Sequence, residues 1–200
     1  MAMDGITRAW RNWRHSRKFA KLGKGCRFIG RDLEIEGHVE LGDYSRIRES
    51  VRLRARPEGK IVIGSRCLLS WNVVIEAGEL VELHDMVGIA EYAVIRDGTH
   101  LIYGTEANWR YTPNYYRPVI IEEGAWVGSG AYVSKGVRIG KGAVIGVKSV
   151  VTHDVPAYEV WTGAPAKFLR HRTKDLPEEV ADLASRLLAE QGIRKDRREW

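Results

Sequence analysis

Residues 119–156 read VIIEEGAWVGSGAYVSKGVRIGKGAVIGVKSVVTHDVP, and one spacing runs through them. Ile121, Val127, Val133, Ile139, Ile145 and Val151 recur every six residues without a miss. Two residues ahead of each anchor stands a small or β-branched residue: Val119, Ala125, Ala131, Val137, Ala143 and Ser149. Glycine often follows the anchor, at Gly128, Gly140 and Gly146. A period of six is not a helix face, and so regular a recurrence asks for a repeated unit. A short flat strand and a turn supply that unit. The anchor points inward, and glycine or a polar residue makes the corner. Three units close a triangular coil of 18 residues. Stacked coils bury the anchors in a column and pair each backbone group with the coil above and below.

The same register runs upstream in triplets: Leu41, Ile47, Leu53; Ile63, Leu69, Ile75; Leu83, Ile89, Ile95. It slips at Arg54–Lys60 and around Ala77–Val81, which reads as short loops at coil corners. An antiparallel sandwich would show turn signals without a fixed phase. The 44% of hydrophobic residues supports a sizeable core, and no apolar run reaches the length of a membrane span. The first residues lack the pattern of a secretory signal. Two cysteines, Cys26 and Cys67, with no CxxC, argue against a disulfide scaffold or structural zinc and fit a reducing cytoplasm.

The net charge of +6 is concentrated at one end. Residues 1–31 hold nine Lys/Arg against Asp4, so the remainder carries a net −2. Without a basic surplus on the body, nucleic acid is not an expected partner. Residues 1–22 form a basic arm in which Ile6, Trp10 and Trp13 share a helical face. Two readings stand for it: a cap on the first coil, or a peripheral contact with anionic lipid at the inner face of the membrane. Residues 173–200 read as a C-terminal helix, with Val180, Leu183, Leu187 and Leu188 on one stripe, followed by a polar tail.

The stretch from Pro118 to Arg170, ending in GAPAKFLR, resembles the hexapeptide-repeat acyltransferases of the maltose and galactoside O-acetyltransferase type and their polysaccharide-modifying relatives. The resemblance covers residues 23–172 and implies an all-β chain, a left-handed parallel β-helix; the short terminal helices, read from their own patterns, lie outside it. It also implies a homotrimer with active sites between subunits and acetyl-CoA as donor. No metal is expected, because no two histidines lie near each other in the coil register around His100 and the loop carries none beyond it. No glycine-rich phosphate loop precedes the repeat, so nucleotidyl transfer is not expected.

After Ile95 the repeat stops at IRDGTHLI and resumes only at Ile121. Residues 97–117 therefore read as a loop extruded from a rigid coil, a common place for function. It contains Tyr103, Trp109, Tyr111, Tyr115 and Tyr116, aromatic faces suited to a sugar. Acyl transfer from a thioester needs a base to deprotonate the attacking hydroxyl, and imidazole exchanges a proton near neutral pH. A donor such as a backbone N–H would hold the oxyanion. His100 stands at the start of the loop, where the resembled enzymes carry their catalytic base. Asp97 is a candidate to orient it, or shapes the turn before Gly98; a backbone carbonyl or a neighbouring subunit's carboxylate would orient the ring equally well.

The resemblance assigns coenzyme A contacts to Trp126, Ser129, Gly146, Val147, Thr152, His153, Lys167 and Arg170. The family more often carries Lys where His153 stands. Ser70 occupies the position of an acceptor-contacting Asn, with Asn72 two residues on as a substitute or a plain corner residue. Together with Trp109 and Tyr111 they form the expected acceptor site. The expected function is O-acetylation of a saccharide or glycoconjugate precursor. The alternatives are a xenobiotic O-acetyltransferase and a non-catalytic β-helix used for binding or assembly.

Overall fold

In a computed structural model the structure describes residues 15–30, 32–102 and 108–172, together with 183, 186, 189 and 190. Three parallel sheets form the faces of a prism. Face one contains Lys21–Leu22, His38–Leu41, Lys60–Ile63, Leu80–Leu83, Val119–Ile121 and Arg138–Ile139. Face two runs from Arg27–Phe28 through Arg46–Ile47, Leu68–Leu69, Gly88–Ile89, Trp126–Val127 and Val144–Ile145 to Glu159–Thr162 and Lys167–His171. Face three contains Glu34–Glu36, Arg52–Ala55, Val74–Ala77, Val94–Arg96, Tyr132–Val133 and Val150–Val151. Each circuit visits the faces in that order. The register pairs Ile121 with Ile139, Val127 with Ile145 and Val133 with Val151, one coil apart. The parallel β-helix expected from the six-residue period is the fold.

The period arises because each anchor must face the axis. All six downstream anchors are no more than 1% exposed, and the residues two before them are equally inward, from Val119 at 0% to Val137 at 2%. Full burial of such a side chain is worth about 1.5–3 kcal/mol, repeated coil after coil. The ends are closed locally. Phe19 stacks on Phe28 at 5.5 Å and His15 packs beside Phe28 at 5.8 Å, covering the first coil. His15 and Ser16 are helical, but the apolar face at Ile6, Trp10 and Trp13 lies outside the described residues. At the other end Lys167–His171 folds back antiparallel on Glu159–Thr162. Leu183, Arg186, Ala189 and Glu190 are helical; the rest of the expected C-terminal helix lies outside the described residues. Among the described residues no helix is long and apolar enough to cross a membrane.

The register slips have a common location. Arg56–Gly59, Gly78–Glu79 and the segment between Arg96 and Val119 all leave the prism at the edge between face three and face one. Three successive coils are therefore widened at one edge, and the widening makes a cleft. The segment after Arg96 is more ordered than a loop: Gly98–His100 pairs antiparallel with Asn114–Tyr116, and Trp109–Tyr111 forms a 3-10 turn. Tyr115 and Tyr116 are strand-forming residues that found a local partner strand. The Tyr116 ring lies against Gly78 and Gly98, where a Cβ on either would collide with it. Glycine is required there by close approach, and it seats the hairpin on the coil.

Candidate active site

The cleft at this edge has a volume of about 540 Å³ and is lined by His100, Thr99, Asn114 and Tyr116 of the hairpin and by Arg54, Arg56, Glu76 and Arg96 of the coils. His100 pairs across the hairpin with Asn114. Its Nδ1 lies 3.4 Å from the Thr112 carbonyl oxygen, and the Trp109 ring meets it edge-on at 5.4 Å and 74°. The turn that carries these partners is internally tied. Asn108 Oδ1 accepts the Arg110 N–H at 3.0 Å, and the Thr112 hydroxyl donates to the Trp109 carbonyl at 2.8 Å. A carbonyl only accepts, so a hydrogen bond here needs the proton on Nδ1 and the lone pair on Nε2, which has no hydrogen-bond partner among the described residues.

Asp97 is 1% exposed, and both its carboxylate oxygens are occupied. They accept the backbone N–H groups of Gly78 at 2.7 Å, Glu79 at 2.7 Å and Leu80 at 2.8 Å. Its own carbonyl accepts from Arg117 at 2.8 Å. Asp97 thus fastens the base of the hairpin to the preceding coil, and the Thr112 carbonyl is the group found at the imidazole. The fastening also satisfies three N–H groups that the widened corner would otherwise orphan.

The other expected site residues fall on two edges. Thr152 and His153, whose Oγ1 and Nδ1 are 3.0 Å apart, stand two coils beyond His100 on its own edge. Ser70, Asn72, Ser129, Gly146 and Val147 line the edge between face two and face three. Trp126, 56% exposed, begins a row on face two that continues through Val144 and Val160 to Arg170. Lys167 pairs with Thr162, which packs against Gly146. Asn72 occupies a left-handed corner with φ 58° and lines a second cleft with Ser50 and Arg52. Tyr111 is 86% exposed. Within the chain, then, Ser70 and Asn72 are not brought to His100, and the face-two group is separated from Thr152 and His153.

The second edge holds a cluster that the repeat reading passed over. Ser129 Oγ donates to Glu91 at 2.6 Å. That bond, followed by the chain's own backbone, Ser70 and Arg48, holds the Glu91 carboxyl below the usual carboxylate range. The Arg48 guanidinium lies 3.8 Å from the centre of the Trp71 ring, with Nε buried and unbonded. Trp71, Glu91 and Ser129 hold equivalent corner positions in successive coils, so aligning the coils would have stacked them. Among the described residues, no group of three or more His, Cys, Asp or Glu could hold a metal ion.

Residues 118–153 match the bacterial transferase hexapeptide (six repeats) family. Probable acetyltransferase Rv3034c of Mycobacterium tuberculosis is 28% identical over 156 residues, covering 76% of this chain and 52% of that protein. The chain therefore spans about half the length of that curated relative. A point variant of AntD, an N-acyltransferase from Bacillus cereus solved with dTDP-4-amino-4,6-dideoxyglucose and coenzyme A, has the same fold. It gives a TM-score of 0.71 at 18% identity, covering 90% of this chain and 95% of AntD. Galactoside acetyltransferase in complex with coenzyme A gives 0.56 at 20%, covering 80% of this chain and 70% of its own. Residues 118–153 are thus bacterial transferase hexapeptide repeats, and the resemblance to hexapeptide-repeat acyltransferases read from the sequence holds.

Proposed function

We propose that the chain is an acetyl-CoA-dependent O-acyltransferase that acetylates a hydroxyl of a saccharide or glycoconjugate precursor. The observation that carries this reading is His100, held at the cleft with Nδ1 on the Thr112 carbonyl and Nε2 without a hydrogen-bond partner among the described residues. Nε2 takes the proton of the attacking hydroxyl as its oxygen bonds the thioester carbonyl carbon. The tetrahedral intermediate collapses, the C–S bond breaks, and the imidazolium returns the proton to the departing thiolate. The acetyl ester and free coenzyme A result, with no covalent acyl-enzyme.

The cysteines support direct attack. Burial pushes the Cys67 thiol up to about 12 and also raises that of Cys26, so neither offers a thiolate nucleophile near neutral pH. In native protein at pH 8, Cys67 should resist an aromatic disulfide reagent and react only on unfolding. Rapid labelling of Cys67 before unfolding would contradict this.

The disposition of the donor residues supports a trimer. Trp126, Ser129, Gly146, Val147, Lys167 and Arg170 on one side and His100, Thr152 and His153 on the other become one groove when the edge of one copy meets the opposite edge of the next. Solved relatives with coenzyme A bound share the scaffold.

Coenzyme A titration by thermal shift tests the donor. At 100-fold over Kd, binding stabilises by about 2.7 kcal/mol, a rise of several degrees. A non-catalytic scaffold would show no shift. Thiol release across a panel of sugars, amino sugars and antibiotics then separates saccharide acceptors from xenobiotics.

A further inference from the structure

Three arginines line the cleft beside His100, and two of them are already matched. Arg54 bonds Glu34 with its Nε at 2.6 Å and lies 3.9 Å from Glu36, while Arg96 bonds Glu76 with its Nε at 2.8 Å. Glu36, Arg54, Glu76 and Arg96 pair in register, so their signs alternate across four coils of face three. This row neutralises itself and leaves little field to attract a ligand of either sign.

Arg56 stands outside the row. Among the described residues no carboxylate lies within ion-pair distance of its guanidinium, which instead lies 5.7 Å from the centre of the Tyr116 ring. Its backbone is fixed on both sides. The N–H donates to the Ala77 carbonyl at 2.8 Å, and the carbonyl accepts from Gly59 at 2.8 Å, closing a turn stiffened by Pro57. The side chain thus springs from a rigid corner, backed by an aromatic ring, and its fork of N–H donors is open to the cleft. A guanidinium so held recognises an oxyanion through paired N–H···O bonds. The cleft volume of about 540 Å³ is in the range of small-ligand sites, so a sugar-sized molecule with a charged group fits.

Resting on the acyl-transfer reading, we propose that the acceptor carries an oxyanion, a phosphate or a carboxylate, which Arg56 receives in the cleft beside His100. The arginine selects the acceptor and takes no part in proton transfer. The row of Glu36, Arg54, Glu76 and Arg96 leaves Arg56 as the cation available to the anion.

The test is a set of calorimetric titrations on the full chain with glucose, glucuronate and glucose 6-phosphate, using wild type, Arg56→Gln and Arg56→Lys. At least one anionic sugar should bind wild type about 10-fold or more tighter than glucose. Arg56→Gln should erase that margin to within about twofold, and Arg56→Lys, which keeps the charge without the fork, should retain part of it. Whether the phosphate or the carboxylate holds the larger margin identifies the anion. Absence of a margin in wild type, or its survival in Arg56→Gln, overturns the proposal. Loss of coenzyme A binding in Arg56→Gln also overturns it, because the arginine would then belong to the donor. Failure of wild type to bind coenzyme A sinks the acyl-transfer reading while the anion margin remains measurable. Arg56 is exposed, and a melting curve of each variant checks that it is folded.

Discussion

His100→Ala should lower turnover at least about 100-fold while coenzyme A still raises the melting temperature as in wild type. The size follows from the role. A sugar hydroxyl is a poor nucleophile until its proton is leaving, and removal of a general base typically costs 10²–10⁴-fold. The selectivity follows from the number of contacts. In the proposed groove His100 meets only the reacting end of the donor, whereas Trp126, Ser129, Lys167 and Arg170 of the facing copy hold the rest of coenzyme A, so donor binding should change little. His100→Asn removes the base while keeping a polar side chain, and should be equally inactive. Near-normal turnover in either variant would end the mechanism, and an equal loss of coenzyme A binding would recast His100 as a donor contact.

Asp97→Ala should be the most damaging single change to the cleft. It removes the acceptor for three backbone N–H groups at a site 1% exposed, those of Gly78, Glu79 and Leu80. An orphaned buried donor costs about 1–3 kcal/mol, but Gly78 and Leu80 are half-buried and Glu79 is exposed, so water reaches the freed groups and a loss of about 2–4 kcal/mol is expected. Activity should fall with it, because the hairpin that aims His100 loses its fastening. Asp97→Asn, which keeps one acceptor oxygen, should lie between alanine and wild type in melting temperature and in activity. The readout that separates fastening from direct orientation is the pH–rate profile. A fastening residue changes the level of the profile and its temperature stability, while the ionisation of the base stays where it was. A displaced ionisation with an unchanged melting temperature would return Asp97 to the imidazole.

Much of the candidate site's position was legible in the sequence. The break after Ile95, the lone His100 at its start and the aromatic run that follows all pointed to one segment. The segment's order was less legible: Gly98–His100 and Asn114–Tyr116 make a strand pair that needs its hairpin partner to be recognised as one. Asp97 illustrates the limit more sharply. Its distance of three residues from His100 suggested a partner for the ring, yet its carboxylate reaches a coil some 18 residues earlier in the chain. Arg56 and Tyr116, and Glu91 and Ser129, are likewise distant in sequence and adjacent in space.

The six-residue period determined the fold by itself. An anchor needs only to know that it faces the axis, a condition that each short strand and turn satisfies locally and each stacked neighbour repeats. Which residues meet in the cleft was decided by the tertiary structure. Coils of unequal length must keep their inward anchors in register, so every surplus residue is expelled at a corner, and the expelled segments pack on one another. That packing depends on how much chain each coil has to spare, a property that no single repeat contains.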